Sequence, residues 1–178
     1  VVAIIGPMTS AMAVAVVPIA DEARVLLMSP TATTGDLAGR DDYFFRVNAS
    51  TLDNASRIAR YHMGRHAARR LAVAYDLRNK SYTESWLASF RATYVQDGGE
   101  IVKVVGFESG GETTLLQVAQ NLLAVQADGV LVVANSVDTA LLCQQIRKLD
   151  NRVPIVAAEW AATERLIELG GKAVEGVI

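Results

Sequence analysis

The chain has 178 residues, 51% of them hydrophobic and 20% charged, the balance of an ordinary globular protein able to bury a sizeable core. Its formal net charge of -2 and 6% aromatic content give no electrostatic or stacking basis for binding nucleic acid, nor for an anionic membrane surface. Cys143 is the only cysteine, so no intrachain disulfide or cysteine metal cluster can form, and no apolar run approaches the roughly 18–20 residues of a membrane-spanning helix.

In chain order, Val1–Ile5 is an apolar β-branched run that reads as a buried strand. Gly6-Pro7-Met8-Thr9-Ser10 then leads into a helical period over Met12–Ala23, with Ser10 at the expected N-cap. A second strand, Val25–Met28, runs into Ser29-Pro30-Thr31-Ala32-Thr33-Thr34. The polar loop Thr31–Asp42 has no helix in it and ends in an extended aromatic run, Tyr43–Val47. A strand reached through a long loop without a helix suggests a crossover between two sheets.

Beyond it the alternation is regular. Helical periods cover Leu52–His66, Glu84–Asp97, Thr113–Val125, Val137–Leu149 and Thr163–Leu169, and apolar strands cover Leu71–Tyr75, Ile101–Phe107, Gly129–Val133 and Val153–Ala157. Gly98-Gly99 and Gly170-Gly171 supply helix ends, and Asp150-Asn151 a turn before Pro154. Continuously apolar strands separated by helices indicate an α/β fold of doubly wound parallel sheets. The expected division is two lobes: residues 1–45 as an incomplete first lobe, 46–174 as the second, and 175–178 as the start of a return crossover within an extended Val174–Ile178. A chain that opens and closes on apparent core strands is expected to be a piece of a longer protein.

Three loops following strands carry candidate chemistry. Ser10 either caps its helix or, with the free amides behind it, presents the positive end of a helix dipole to a carboxylate or phosphate. The Ser29–Thr34 loop either satisfies its own backbone or meets the ends of a zwitterion with its hydroxyls and carbonyls. Glu159 beside Trp160 is either a solvated residue entering a helix or a partner for an ammonium group, by charge-assisted hydrogen bond and cation–π contact. His62 and His66 have the spacing of a metal pair but no third ligand, so a packed helix face is the simpler reading. Arg65, Arg69 and Arg70 complement a helix C-terminus, and Cys143 fits a core position. A phosphate-binding loop, a dinucleotide fingerprint and a Gly-x-Ser-x-Gly elbow are all missing, which removes support for a nucleotide-dependent enzyme or a serine hydrolase.

These loops together resemble a known family. Gly6-Pro-Met-Thr-Ser10, Pro18-Ile-Ala-Asp-Glu-Ala23 and Leu27-Met-Ser-Pro-Thr-Ala-Thr33 are similar to the type I periplasmic binding proteins of branched-chain amino-acid ABC transporters. The similarity continues through Tyr43-Phe-Phe-Arg46, Val73-Ala-Tyr-Asp76 with Tyr82 after it, Gly98-Gly-Glu100 and Gly171-Lys-Ala-Val-Glu-Gly176. The resemblance implies a two-lobed receptor without enzymatic activity or cofactor, periplasmic or extracellular, whose partners are a small-molecule ligand and a membrane permease. It implies that Ser10 and Thr33 receive a ligand carboxylate, that the Thr31 carbonyl and Glu159 receive an ammonium, and that Ala32, Tyr82, Asn135 and Trp160 complete the wall. Asn135 and Trp160 depart from the family's common residues, so the ligand class stays open between branched-chain amino acids and amides or aromatic acids. A sensory ectodomain of the same fold remains the alternative to a transport receptor.

Overall fold

The structure, a computed structural model, describes residues 1–65, 68–150 and 152–178. His66 and Asn151 therefore lie outside the described residues, and with them the expected histidine pair and part of the turn before Pro154.

Two parallel sheets form. The smaller joins β1 (Ala3–Ile5), β2 (Leu26–Ser29) and β3 (Phe44–Arg46) in that order, with Ile4 opposite Leu27 and Met28 opposite Phe45. The larger has the order β5-β4-β6-β7, built from β4 (Arg70–Asp76), β5 (Glu100–Phe107), β6 (Gly129–Val133) and β7 (Ile155–Ala157). Its central register sets Val73 beside Val104 and Leu131, and Leu131 beside Val156.

Side chains alternate across this larger sheet as the period of two requires. Leu71, Val73, Leu131, Val133 and Val156 face α2 (Thr51–Arg65) and α3 (Lys80–Gln96), packing on Trp86, Phe90 and Tyr94. Ala72, Ala74, Val130, Val132 and Ile155 face the other way, onto Val118 and Leu122 of α4 (Leu115–Leu123) and Leu142, Cys143 and Ile146 of α5 (Ser136–Leu149). Burying each such side chain contributes about 1.5–3 kcal/mol, which is why β6, buried at all five positions, reads as an unbroken apolar run. Cys143 is part of this core, and burial raises its thiol to about 11.

The smaller sheet is covered on one face only. Ala13, Val17 and Ala20 of α1 (Ser10–Glu22) pack on Leu27, Leu37 and Phe44. On the opposite face Ile5 and Phe45 are 83% and 56% exposed, and all of β1 is exposed, contrary to the buried strand its composition suggests. Apolar β-branched content specifies a strand, but burial depends on what packs against it.

Helix ends follow local chemistry. Thr9, not Ser10, is the N-cap of α1: its backbone is extended and its hydroxyl accepts the Met12 amide, while Ser10 is already helical. At the end of α3, Gly98 has φ +91 and a Cβ on Gly99 would meet the Tyr94 ring, so both glycines are required. The Arg69 guanidinium donates to the Met63 carbonyl in the last turn of α2, and Arg70 pairs with Glu100, which gives both arginines structural roles.

The C-terminal segment differs from the expected extended run. After α6 (Glu164–Gly170), residues Gly171–Val174 form a 3-10 turn, entered at Gly171 with φ 50. A return to extended geometry comes only at the end, where the Ile178 amide donates to Ile155 and its carbonyl accepts from Ala157 beside β7.

Candidate ligand-binding cleft

A cavity of about 420 Å³ opens between the two sheets. Nearly every residue lining it follows the carboxyl end of a strand, the position at which open parallel sheets place ligands. Met8, Thr9 and Ser10 come after β1, Thr31 and Thr33 after β2, and Asn48 after β3. From the other side come Asn79 and Tyr82 after β4, and Glu159, Trp160 and Thr163 after β7.

On the side of the smaller sheet, hydroxyls tie the loops together. Ser10 is 2% exposed, and its Oγ accepts the amides of Thr33 and Thr34, each at 3.2 Å. The Thr33 amide is therefore engaged with Ser10, which leaves the Ser10 hydroxyl hydrogen and the Thr33 side chain as donors. Ser29 donates to the Pro7 carbonyl at 2.7 Å and accepts the Ala32 amide at 2.9 Å, so it bridges the two loops from below. Thr31 gives its hydroxyl to the Met8 carbonyl at 2.6 Å. Arg46 donates to the Thr34 carbonyl at 2.6 Å and holds the same loop from β3.

The amides expected to be free at the start of α1 are occupied. Ala11 donates to Asn79 Oδ1 at 3.0 Å, a bond that reaches across to the N-cap of α3, and Met12 donates to Thr9. A second bond crosses the cleft nearby, from the Gly35 amide to Ser85 Oγ at 3.1 Å. Ser85 also meets the Thr51 hydroxyl at 2.6 Å.

The side of the larger sheet carries the charge. Glu159 opens a 3-10 turn directly after β7, and its Oε2 accepts the Trp86 indole N–H at 2.7 Å. Its Oε1 and the Tyr82 hydroxyl are both buried on this cavity, neither with a well-formed hydrogen bond, and the hydroxyl lies within interaction range of the carboxylate. Tyr82 packs edge-on against Trp160, with ring centroids 5.1 Å apart. Burial, and then the Glu159 charge, raise the Tyr82 hydroxyl far above its ordinary value of 10, so it stays neutral and keeps its proton. Among the described residues no Lys or Arg lines the cavity, which leaves Glu159 as its one charged side chain.

Of the eight expected site residues, Ser10, Thr31, Thr33, Tyr82, Glu159 and Trp160 line this cavity. Ala32 does not: it is fully buried beneath the loop in the core of the smaller sheet. Asn135 is also outside, because it caps α5, where its Oδ1 accepts the Val137 and Asp138 amides and its Nδ2 donates to Asp138. Cap chemistry and ligand chemistry use the same side chain, and here the helix takes it. Asn48, Asn79 and Thr163 escaped the sequence reading, although Asn79 could have been found from its place three residues past β4. No cluster of three or more metal-ligating side chains occurs among the described residues. Among them, too, no helix is long and apolar enough to cross a membrane.

A family model described as periplasmic binding protein matches residues 1–178. The chain belongs to the periplasmic binding protein family. This is a family of solute-binding receptors, not of enzymes. The leucine-binding protein LivK of Thermotoga maritima superposes with a TM-score of 0.87 at 30% identity, over 99% of this chain and 50% of that one. The substrate-binding protein LivJ of Streptococcus pneumoniae, solved with isoleucine, gives 0.82 at 26% identity, over 96% and 48%. A solute-binding protein of an ABC transporter from R. palustris, solved with 4-hydroxybenzoate, gives 0.83 at 19% identity, over 97% and 47%, which speaks for the fold alone. These periplasmic binding proteins share the type I doubly wound architecture, and this chain spans about half their length. No curated protein matches the chain.

Proposed function

We propose that this chain forms the ligand cleft of an extracytoplasmic receptor that delivers an amino acid or a closely related small zwitterion to the permease of an ABC importer. The observation that carries the reading is Glu159, a partly buried carboxylate held through Oε2 by the Trp86 indole, with only the neutral Tyr82 hydroxyl beside it and no cationic side chain lining the cavity with it. A carboxylate in a cleft without a cationic side chain attracts a cation, and a ligand ammonium supplies both the opposite charge and further donors. In this reading the Thr31 carbonyl shares the ammonium, while the Ser10 hydroxyl and the Thr33 side chain take the carboxylate at the positive end of α1. Tyr82, Trp160 and Met8 form the apolar wall for the remainder of the ligand.

The reading is supported by the relatives solved as leucine- and isoleucine-binding proteins. The 4-hydroxybenzoate complex of a more distant neighbour raises an aromatic acid as a second reading, and the Tyr82–Trp160 wall would suit an aryl ring. A plain carboxylate, however, leaves Glu159 without a counter-charge. Residues 1–45 then act as part of one lobe and 46–174 as the other, with hinges near Arg46–Asn48 and Val174–Ile178. Ligand stabilises the shut arrangement because it touches both sides only when they are close.

Isothermal titration of the intact protein with the common L-amino acids, their deaminated analogues and 4-hydroxybenzoate tests this. Binding of at least one amino acid, and none of its deaminated analogue, is the expected outcome. Preference for 4-hydroxybenzoate would overturn it.

A further inference from the structure

Trp86 is fully buried in the middle of α3, one turn beyond Tyr82, so the two side chains share a helix face. Its ring stacks on Phe90 at 5.2 Å and 14°, and Phe90 stacks on Tyr94 at 5.2 Å and 24°. Tyr94 is anchored in turn by its hydroxyl, which donates to the Ala68 carbonyl at 3.0 Å. Three aromatic rings at four-residue spacing thus form a column that fixes the indole plane. At its upper end the indole N–H donates to Glu159 Oε2 at 2.7 Å. A carboxylate held through one oxygen by a rigid donor has its other oxygen aimed. In this structure that oxygen, Oε1, is buried without a well-formed hydrogen bond, and the Tyr82 hydroxyl lies near the carboxylate on the same cavity.

The chemistry of the donor matters as much as its position. An indole N–H donates one hydrogen bond and carries no charge. An arginine or lysine in its place would orient Glu159 equally well and cancel the charge that the ligand is to meet. A neutral donor orients the carboxylate and leaves its charge in place.

We infer that Trp86 is a positioning residue for ligand selection: its indole N–H holds Glu159 so that Oε1 meets a ligand ammonium, and it thereby sets the preference for amino acids over their deaminated analogues. This rests on the amino-acid reading above. Trp86 acts through Glu159 and touches no ligand itself.

Two measurements on the intact protein test it. The first needs no ligand: the indole N–H resonance of Trp86 is compared between wild type and Glu159→Gln. It is expected to shift strongly upfield when its charged acceptor becomes a neutral amide, with selective labelling of Trp86 supplying the assignment. The second compares L-isoleucine with 3-methylpentanoate, the same skeleton without the amine, by titration of wild type and Trp86→Phe. Phenylalanine keeps the stack on Phe90 and removes the donor, so the preference for L-isoleucine is expected to fall roughly tenfold or more. Equal weakening of both probes would mark a merely structural role and overturn the inference. An indole resonance unmoved by Glu159→Gln would overturn it too, even if Trp86→Phe failed to fold. If wild type bound no amino acid at all, the amino-acid reading would fall by itself, and with it the selection role, while the resonance would still decide whether Trp86 holds Glu159.

Discussion

Glu159 and Ser10 stand on opposite walls of one cavity and carry different loads. Glu159→Gln removes the cavity's charge but keeps an acceptor for Trp86, so it is expected to weaken amino-acid binding by about 2–5 kcal/mol while leaving the melting temperature within a few degrees of wild type. Titration calorimetry beside thermal denaturation separates the two. Ser10→Ala should lower both affinity and stability, because the amides of Thr33 and Thr34 lose the one oxygen they share; a stability loss of about 1–3 kcal/mol is expected by denaturant unfolding. Asp76 offers a pH test away from the cleft. Burial, its largest perturbation, together with the Asp138 charge, raises its carboxyl above 3.8, against the Arg78 amide it accepts. The folded state then binds this proton more tightly than the unfolded one. Its contribution is fully favourable below 3.8 and is lost as pH rises through the raised value. Asp76→Asn keeps the acceptor, so stability measured against pH should flatten across that window.

At the scale of elements, two hydrogen bonds join the N-terminal part of α3 and its N-cap to α1 and to the loop after β2, and are expected to act as a latch. Asn79 accepts the Ala11 amide and Ser85 the Gly35 amide, both across the cleft. Asn79→Ala together with Ser85→Ala is expected to favour an open form and to weaken ligand binding several-fold, with the loss seen as a larger radius of gyration by solution scattering in the absence of ligand. An unchanged scattering profile would show that the latch does not hold the lobes. The elements themselves were legible in the sequence because continuous apolar runs such as Gly129–Val133 have one outcome in an α/β protein. Glu159 was legible for a related reason, as an acid two residues past a strand end. Trp86 was not, since its partner lies 73 residues away in the chain and only the packing of α3 brings them together. Asn135 misled because an asparagine between strand and helix serves a cap or a ligand equally well on paper.

Taken whole, the molecule joins two sheets of unequal build. The larger has helices on both faces and a core on each, whereas within these residues the smaller is covered by α1 on one face. A ligand that binds only the folded state adds about 2.7 kcal/mol at a hundred times its dissociation constant, and the melting temperature of the intact protein should rise with ligand concentration accordingly. The column of rings beneath Glu159 has a further consequence for how that wall responds. Amide hydrogens in β4 and β6, buried with helices on both faces of their sheet, should exchange only through global unfolding, which deuterium uptake resolved by peptide tests directly. The wall bearing Glu159 is then set before any ligand arrives, and little of the entropy of binding is spent at the ligand's cationic end.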